Sequence, residues 1–423
     1  MKGPTVAVTG VGLVTPHGVG VETTWAGALE GRSAVARIRR FDPTGFDVTF
    51  AAEAPDPGWP AALDPAVLGQ GMGLLAHDLK GRLTAAAVLE ALAQAGLPVG
   101  PPVADPRLGV WVGSEAARPP LAVLHDRLRD PRAPDADELL LLSPDAPTRL
   151  AAALVGAAGP RRTISTACTS SSQAVGEGAL AIQRGEVDAA LVGGVDVLVD
   201  PIMLTGFSLL GALSTRNEDP AAASRPFDQD RDGFVLGEGA GFLVLERLDR
   251  ARARGAAILG IVSGYGCSCN AWRITDSPPD GRGAALSMQA ALDHAGLRPD
   301  QVGYLNAHGT STAQNDQSES AGVHRVFGPH AARLPVSSTK GGMGHLVAAC
   351  GAVEVILCLL ALRDGLLPPT VNLDRPDPLC ALDHVRGGPR PAAIHHAMSN
   401  AFGFGGSNGT VIVSAPAAAP DAS

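Results

Sequence analysis

The chain has 423 residues, 45% of them hydrophobic and 18% charged, a balance that excludes a disordered polymer and suggests two or three domain-sized units. Lys and Arg number 33 against 42 Asp and Glu, so the formal net charge of −9 argues against a nucleic-acid or anionic-membrane surface. Six scattered cysteines without a C-x-x-C pair exclude a disulfide scaffold and a structural zinc site.

The first residues, MKGPTVAVTGVG, lack a basic region followed by an apolar run, so they are not read as a signal peptide, and a cytoplasmic protein with reduced thiols is expected. Short β-rich runs then alternate with Ala-rich helical runs. Thr5–Thr9 reads as a strand, Thr84–Ala95 as a helix, Leu108–Val112 as a strand and Asp130–Asp137 as a surface loop. Ser171–Arg184 follows as a helix, then Ala189–Val192, Phe242–Leu245 and Ile258–Val262 as strands. Further on come the helix Gly283–Ala295 and the strands Val302–Leu305 and Pro335–Ser338. The most apolar stretch, Leu346–Leu362, contains Glu354 and is too short to span a bilayer comfortably, so it reads as a buried helix. Val411–Ser414 is the last strand, and the tail 416–423 is expected to be disordered. This alternation predicts an α/β fold with a mixed sheet covered by helices on both faces.

Two segments imitate known motifs. Asp228–Gly239 has acids at calcium-loop positions one, three and five, but Gly239 stands where a bidentate Glu is needed. Gly405–Gly409 fits G-x-S-x-G, but a strand follows it where a nucleophile elbow needs a helix. A third pattern suggests duplication. Gly81–Leu97 (GRLTAAAVLEALAQAGL) and Gly281–Leu297 (GRGAALSMQAALDHAGL) agree at eight of 17 positions, which implies two similar halves with a seam near Arg254–Ile258.

Four segments carry chemistry. In Thr163–Gln173 (TISTACTSSSQ) a strand-like run enters a helix through Cys168, where a helix dipole and free N–H groups can stabilise a thiolate; an inert buried cysteine is the equal alternative on this segment alone. Tyr304–Asn315 (YLNAHGTSTAQN) places His308 at a strand end, and Val336–Val347 (VSSTKGGMGHLV) holds Lys340 and His345 among glycines. Ser399–Asn408 (SNAFGFGGSN) is a glycine-rich apolar loop whose free N–H groups can form half of an oxyanion hole. A strand-end histidine and an exposed turn lysine are ordinary features singly. One cysteine, two histidines, one lysine and an N–H-rich loop together suit acyl transfer through a thioester.

With these residues in hand, the chain resembles the β-ketoacyl-acyl-carrier-protein synthases, of the type II elongating kind. The likeness runs from about Val6 to Ser414 through seven motifs in order: VTGVGLVTPHG, TACTSSSQA, ASRPFDQDRDGFVLGEGAG, NAHGTST, VSSTKGGMGHL, LPPTVNLDRPDP and NAFGFGGSNG. Cys168, His308 and His345, spaced 140 and 37 residues apart, resemble its Cys-His-His spacing. The resemblance implies the thiolase fold, layered αβαβα in two pseudo-symmetric halves, residues 1–255 and 256–415, normally as a dimer. It implies Cys168 as acylated nucleophile, His308 and His345 as activators of a malonyl thioester, and the N–H groups of Cys168 and Phe404 as the oxyanion hole. Lys340 and Glu354 match a supporting charged pair, and Thr310 and Thr312 match residues of a phosphopantetheine channel. Phe207, Phe402, Phe404 and Ala116 complete the implied substrate-binding set, with Phe404 as a gate. The implied partners are an acyl carrier protein and a second subunit, either identical or a ketosynthase-like chain-length partner. No metal or separate cofactor is implied.

Departures from the pattern point to a specialised polyketide or polyene pathway. Gly69–Asp78 has no basic residue before Lys80, where the family carries carrier-docking residues, leaving Arg127, Arg129 and Arg132 as substitutes. Glu115-Ala116-Ala117-Arg118 stands where the family has Gly and a bulky aliphatic that floors the acyl pocket. Ser143–Thr148 lacks the aromatic pair of the dimer interface, and Asn315-Asp316 followed by Glu319 resembles aromatic-polyketide and polyene ketosynthases. A housekeeping fatty-acid ketosynthase is the alternative. A non-catalytic chain-length subunit is disfavoured by the presence of Cys168.

Overall fold

The computed structural model describes residues 3–61, 63, 72–100, 103–115, 125, 129 and 140–416. The expected Asp130–Asp137 loop, Ala116 and most of the tail lie outside the described residues, as do Arg127 and Arg132. Five strands form the first part of the main sheet: β1 (Val6–Thr15), β2 (Leu108–Gly113), β3 (Arg161–Ile164), β4 (Ala189–Asp196) and β5 (Gly239–Arg247). Six more follow: β6 (Gly260–Cys269), β7 (Tyr304–Asn306), β8 (Pro335–Ser337), β9 (Asp383–His384), β10 (His396–Phe402) and β11 (Ser407–Ser414). Their spatial order is β9-β8-β7-β10-β11-β6-β1-β5-β4-β2-β3. Read outward from the central β1–β6 pair, the first, fifth, fourth, second and third strands follow one another in both runs, with β9 added at one edge.

The helices fall into three layers. Helices α1 (Leu79–Ala95) and α2 (Ala146–Val155) cover the first run, while α5 (Arg282–Ala295) and α6 (Ala313–Phe327) pack together against the second. Between the two runs lie α3 (Ser170–Gln183) and α7 (Cys350–Asp364), each touching strands of both and each other. Helix α4 (Pro201–Leu209) starts at Asp200, whose carboxylate accepts from the N–H groups of Ile202 and Met203.

Helix α7 is buried on every side from Cys350 to Ala361, which is why its sequence shows an unbroken apolar run. Among the described residues no helix is long and apolar enough to cross a membrane. At the α3–α7 crossing, a Cβ on Gly351 would stand 2.0 Å from Ser172 Oγ, so only glycine permits this approach.

Several boundaries differ from the sequence reading. The strand expected at Thr5–Thr9 runs on to Thr15, because Gly10 and Gly12 let α1 lie flat on it: Cβ atoms there would meet Ala91 O and Ala87 O near 2 Å. Strand β10 was not expected, since Ser399–Asn408 was read as a glycine-rich apolar loop; Ser399 and Asn400 are buried in the strand, and Asn400 bonds Glu319 and Thr410. The buried helix expected over Leu346–Leu362 begins at Cys350, after a tight turn at Val347–Ala349. In the calcium-like segment, the Asp228 carboxylate accepts from the N–H groups of Asp230, Asp374 and Arg375 and acts as a turn anchor. Ser407 opens β11 and bonds Thr169 and Gln173 through its hydroxyl.

Candidate active site

Cys168 lies in the link between β3 and α3, at 8% exposure. The link is tight enough to put Ala167 at φ 52°, a left-handed conformation that costs a non-glycine residue about 1–3 kcal/mol and survives only where the surroundings enforce it. Burial pushes the Cys168 thiol up to about 12, against the Lys340 cation and the N–H groups of Phe404 and of Cys168 itself, which favour the thiolate. The expectation of a thiolate made by the helix start is therefore corrected. α3 begins at Ser170, and loss of water at the sulfur outweighs the helix start, leaving a neutral resting thiol.

His308 follows β7 in a loop fastened by two carboxylates. Glu319 accepts from the N–H groups of His308 (2.9 Å) and Gly309 (2.8 Å) and from Asn400 Nδ2 (3.1 Å). Burial pushes the Glu319 carboxyl up to about 7, and those three donors oppose the rise. Asp316 accepts from the N–H groups of Thr310 (3.0 Å) and Phe227 (2.8 Å) and faces Arg231 at 3.5 Å.

His345 follows β8. Its N–H donates to Val235 O at 2.7 Å, and its Nδ1 accepts from the Val347 N–H at 3.2 Å. An accepting Nδ1 places the ring proton on Nε2, which has no partner among the described residues. The Nδ1 of His308 is also without one. The two rings meet edge to face at 5.2 Å. Burial, reinforced by the Lys340 cation, holds both imidazoles well below their ordinary range, so both are neutral near pH 7. Cys168 Sγ and ring nitrogens of the two histidines all lie within 4.8 Å of one another.

Lys340 and Glu354 form a buried ion pair behind this group. Burial would lower the Lys340 ammonium, but Glu354, Cys350 and Glu319 together outweigh burial and hold it above its ordinary value. A cavity of about 360 Å³ leads from Cys168, His308 and His345 to the surface. Thr310, Thr312, Phe207, Phe402 and Phe404 line it, as the sequence reading expected, whereas Lys340 and Glu354 do not. Leu210, 56% exposed, stands at its mouth near Asp276 and Asn315. A passage that ends at three buried side chains suits a long arm that delivers a thioester.

The sequence reading missed the groups that hold the loops. Arg231 and Asn400 lie inside the quoted motifs but were given no role of their own. Asp316 and Glu319 drew attention only as marks of lineage. Lys80, which only marked the end of the segment lacking basic residues, is buried against Asp196 at 3.2 Å. Arg129 is exposed.

Comparison with known proteins supplies the family. Residues 4–251 match the model of the β-ketoacyl synthase N-terminal domain, and residues 259–374 match that of the C-terminal domain. The chain is 39% identical over 411 residues to a 3-oxoacyl-[acyl-carrier-protein] synthase 2 of Synechocystis sp., covering 96% of this chain and 97% of the relative. It is 38% identical over 414 residues to the protein of that name from Coxiella burnetii, covering 97% and 98%. Among solved structures, the ishigamide ketosynthase/chain length factor superposes with a TM-score of 0.86 at 34% identity, over 97% of this chain and 99% of that one. A ketosynthase bound to the hexaketide, in complex with a type II polyketide acyl-carrier protein, gives 0.85 at 30% identity, over 98% and 100%.

Proposed function

The chain belongs to the β-ketoacyl synthase family, with its thiolase fold, and from that premise we propose that it joins an acyl group held on Cys168 to the two-carbon unit released from malonyl-acyl-carrier protein. It is a condensing enzyme of the acyltransferase class. The observation that carries the residue assignment is the convergence of one sulfur and two unprotonated imidazoles at the buried end of a passage.

The cycle has two halves. First, the Cys168 sulfur gives up its proton and attacks the acyl thioester; the carrier's thiol leaves and takes a proton. The N–H groups of Cys168 and Phe404 face the sulfur and stabilise the oxyanion formed there, with Lys340 adding positive charge. Next, malonyl-carrier enters. The His345 Nε2–H and a ring N–H of His308 donate to its thioester carbonyl, favouring the enolate left as CO2 departs. The enolate carbon attacks the acyl group and the Cys168 thiolate leaves, giving a 3-oxoacyl chain two carbons longer. Decarboxylation supplies the electron pair, so the substrates on their phosphopantetheine arms suffice without a separate cofactor. Phe404, against Phe207 at 6.4 Å, stands as a gate between the two substrate positions.

Two further assignments belong to this reading. The chain divides at 255/256, a division supported by the repeated strand order and by the two model boundaries. Its pathway is a specialised polyketide or polyene one, with an acyl carrier protein and a second ketosynthase-like subunit, identical or not, as partners. The structural likeness to type II polyketide ketosynthases, the acidic Glu115 beside the nucleophile and the sequestered Lys80 support this. The relatives at 38–39% identity favour a fatty-acid role instead. Intact-mass analysis of the chain co-expressed with its carrier protein tests the assignments: a polyene or polyketide mass on Cys168 is expected. Rapid elongation of saturated acyl carriers by the purified chain alone would establish the fatty-acid role, and an unmodified Cys168 would remove the mechanism.

A further inference from the structure

Glu115 occupies a position where the resembled family carries glycine, and its carboxylate reaches the turn that carries Cys168. Oε2 accepts from Ser165 Oγ at 2.8 Å, and Oε1 accepts from the Ala167 N–H at 3.1 Å. Ser170 Oγ lies 3.5 Å from Oε1 but commits its proton to Ala167 O at 2.7 Å. Glu115 is thus the acceptor for the N–H of the one residue in this turn held in a left-handed conformation, directly before the nucleophile. On its other side, the Glu115 carbonyl accepts from Lys80 Nζ, which also meets Asp196 Oδ1. Asp196 Oδ2 accepts from the Ala348 N–H, three residues beyond His345. A chain of polar contacts therefore runs from the cysteine turn to the histidine loop without crossing the cavity, half-exposed at Glu115 and buried at Asp196.

We propose that Glu115 is a positioning residue for the nucleophile: its carboxylate pins the 165–170 turn and, through Lys80 and Asp196, sets that turn against the loop bearing His345. The inference rests on the assignment of Cys168 as nucleophile. It adds that a side chain outside the passage fixes where the sulfur stands. Displacing a reacting atom by about 1 Å costs a factor of about 10² in rate. The Glu115 charge also opposes ionisation of the thiol, while Lys340 favours it. The other titratable groups around the sulfur are His308, His345, Cys350 and Glu354.

The test compares the full-length chain with Glu115→Ala and Glu115→Gln. Alkylation of Cys168 by iodoacetamide is followed by intact mass across pH, single-turnover acylation is timed, and malonyl decarboxylation is measured in a Cys168→Ala background. Glu115→Ala is expected to slow acylation about 10²-fold while leaving decarboxylation nearly unchanged. Glu115→Gln, which keeps an acceptor for Ala167 and the shape of the side chain, is expected to recover most of the acylation rate. Its alkylation profile should shift to lower pH. Wild-type acylation in Glu115→Ala, an unshifted profile in Glu115→Gln, or an equal fall in both half-reactions overturns the proposal. If Glu115→Ala does not fold, the Glu115→Gln profile decides. A wild-type chain that is neither alkylated nor acylated at Cys168 removes the nucleophile assignment itself, a failure distinct from that of Glu115.

Discussion

The links β3–α3 and β8–α7 occupy the same place in their two runs of strands, each leading from the third strand into a central buried helix. The first, 165–169, is short and strained at Ala167, and it presents a sulfur that burial keeps neutral. The second, 338–349, is longer. It holds one helical turn at Lys340–Met343, places Val347 at φ 46°, and presents a cation and an imidazole. Equivalent positions thus do opposite electrostatic tasks. The cation that favours ionisation of the sulfur beside the first run sits beside the second, so the proposed nucleophile draws on both.

The widest separation of the two links comes from deleting the sulfur. Cys168→Ala is expected to lower acyl transfer from carrier protein by about 10⁴-fold or more, while malonyl decarboxylation, the task of the second half, continues. Transfer and loss of CO2, measured separately on one preparation, check this, and a variant that still becomes acylated breaks the comparison. His308→Ala is the reverse probe. Decarboxylation should fall by about 10²–10³-fold and acylation by much less, read from CO2 release against single-turnover acylation. Equal losses would show that the halves do not divide the work.

Lys340→Met tests the cation that joins them. It leaves Glu354 buried without its partner, which costs about 3–5 kcal/mol, and withdraws the charge that favours the Cys168 thiolate. Urea unfolding should show the loss of stability, and Cys168 alkylation should move to higher pH. A stable variant with an unmoved alkylation profile would mean that the lysine serves only its own half.

The comparison also explains what the sequence made legible. Cys168 and His308 follow closely on strands and His345 lies in a glycine-rich link, all among small residues where reactive side chains have room, and the local pattern exposed them. The alternation of β-rich and Ala-rich runs likewise gave the layered α/β fold. Glu115, Glu319 and Asn400 could not be found that way, because each gains its partner only when distant segments meet: Glu115 with Ala167, Glu319 with Asn400. β10 escaped for the same reason, its polar Asn400 being satisfied across the core by Glu319 and Thr410. The charge state of Cys168 was misread because a helix start is a local signal, whereas loss of water depends on everything packed around the sulfur.

The smallest expected effect is an absence of change. An ordinary histidine takes up a proton near pH 6.5, but burial and Lys340 hold His308 and His345 well below that in the folded chain. Between the folded and unfolded values the unfolded chain binds more protons, so stability contributed by these rings is full above pH 6.5 and is lost as pH falls toward the lowered folded values. Catalysis should follow the folded values. In the Cys168→Ala variant the His308 and His345 ring signals in NMR are expected to stay unshifted from pH 8 to 6, roughly the span an exposed imidazole would titrate. The decarboxylation rate there also answers to Glu319 and Glu354, whose carboxyls burial raises to about 7. Stability measured by urea unfolding should already decline below pH 6.5. Ring signals that titrate near 6.5 in this variant would mean that the imidazoles are open to water, and the contrast between a sulfur and two rings all held neutral by burial would fail at its second member.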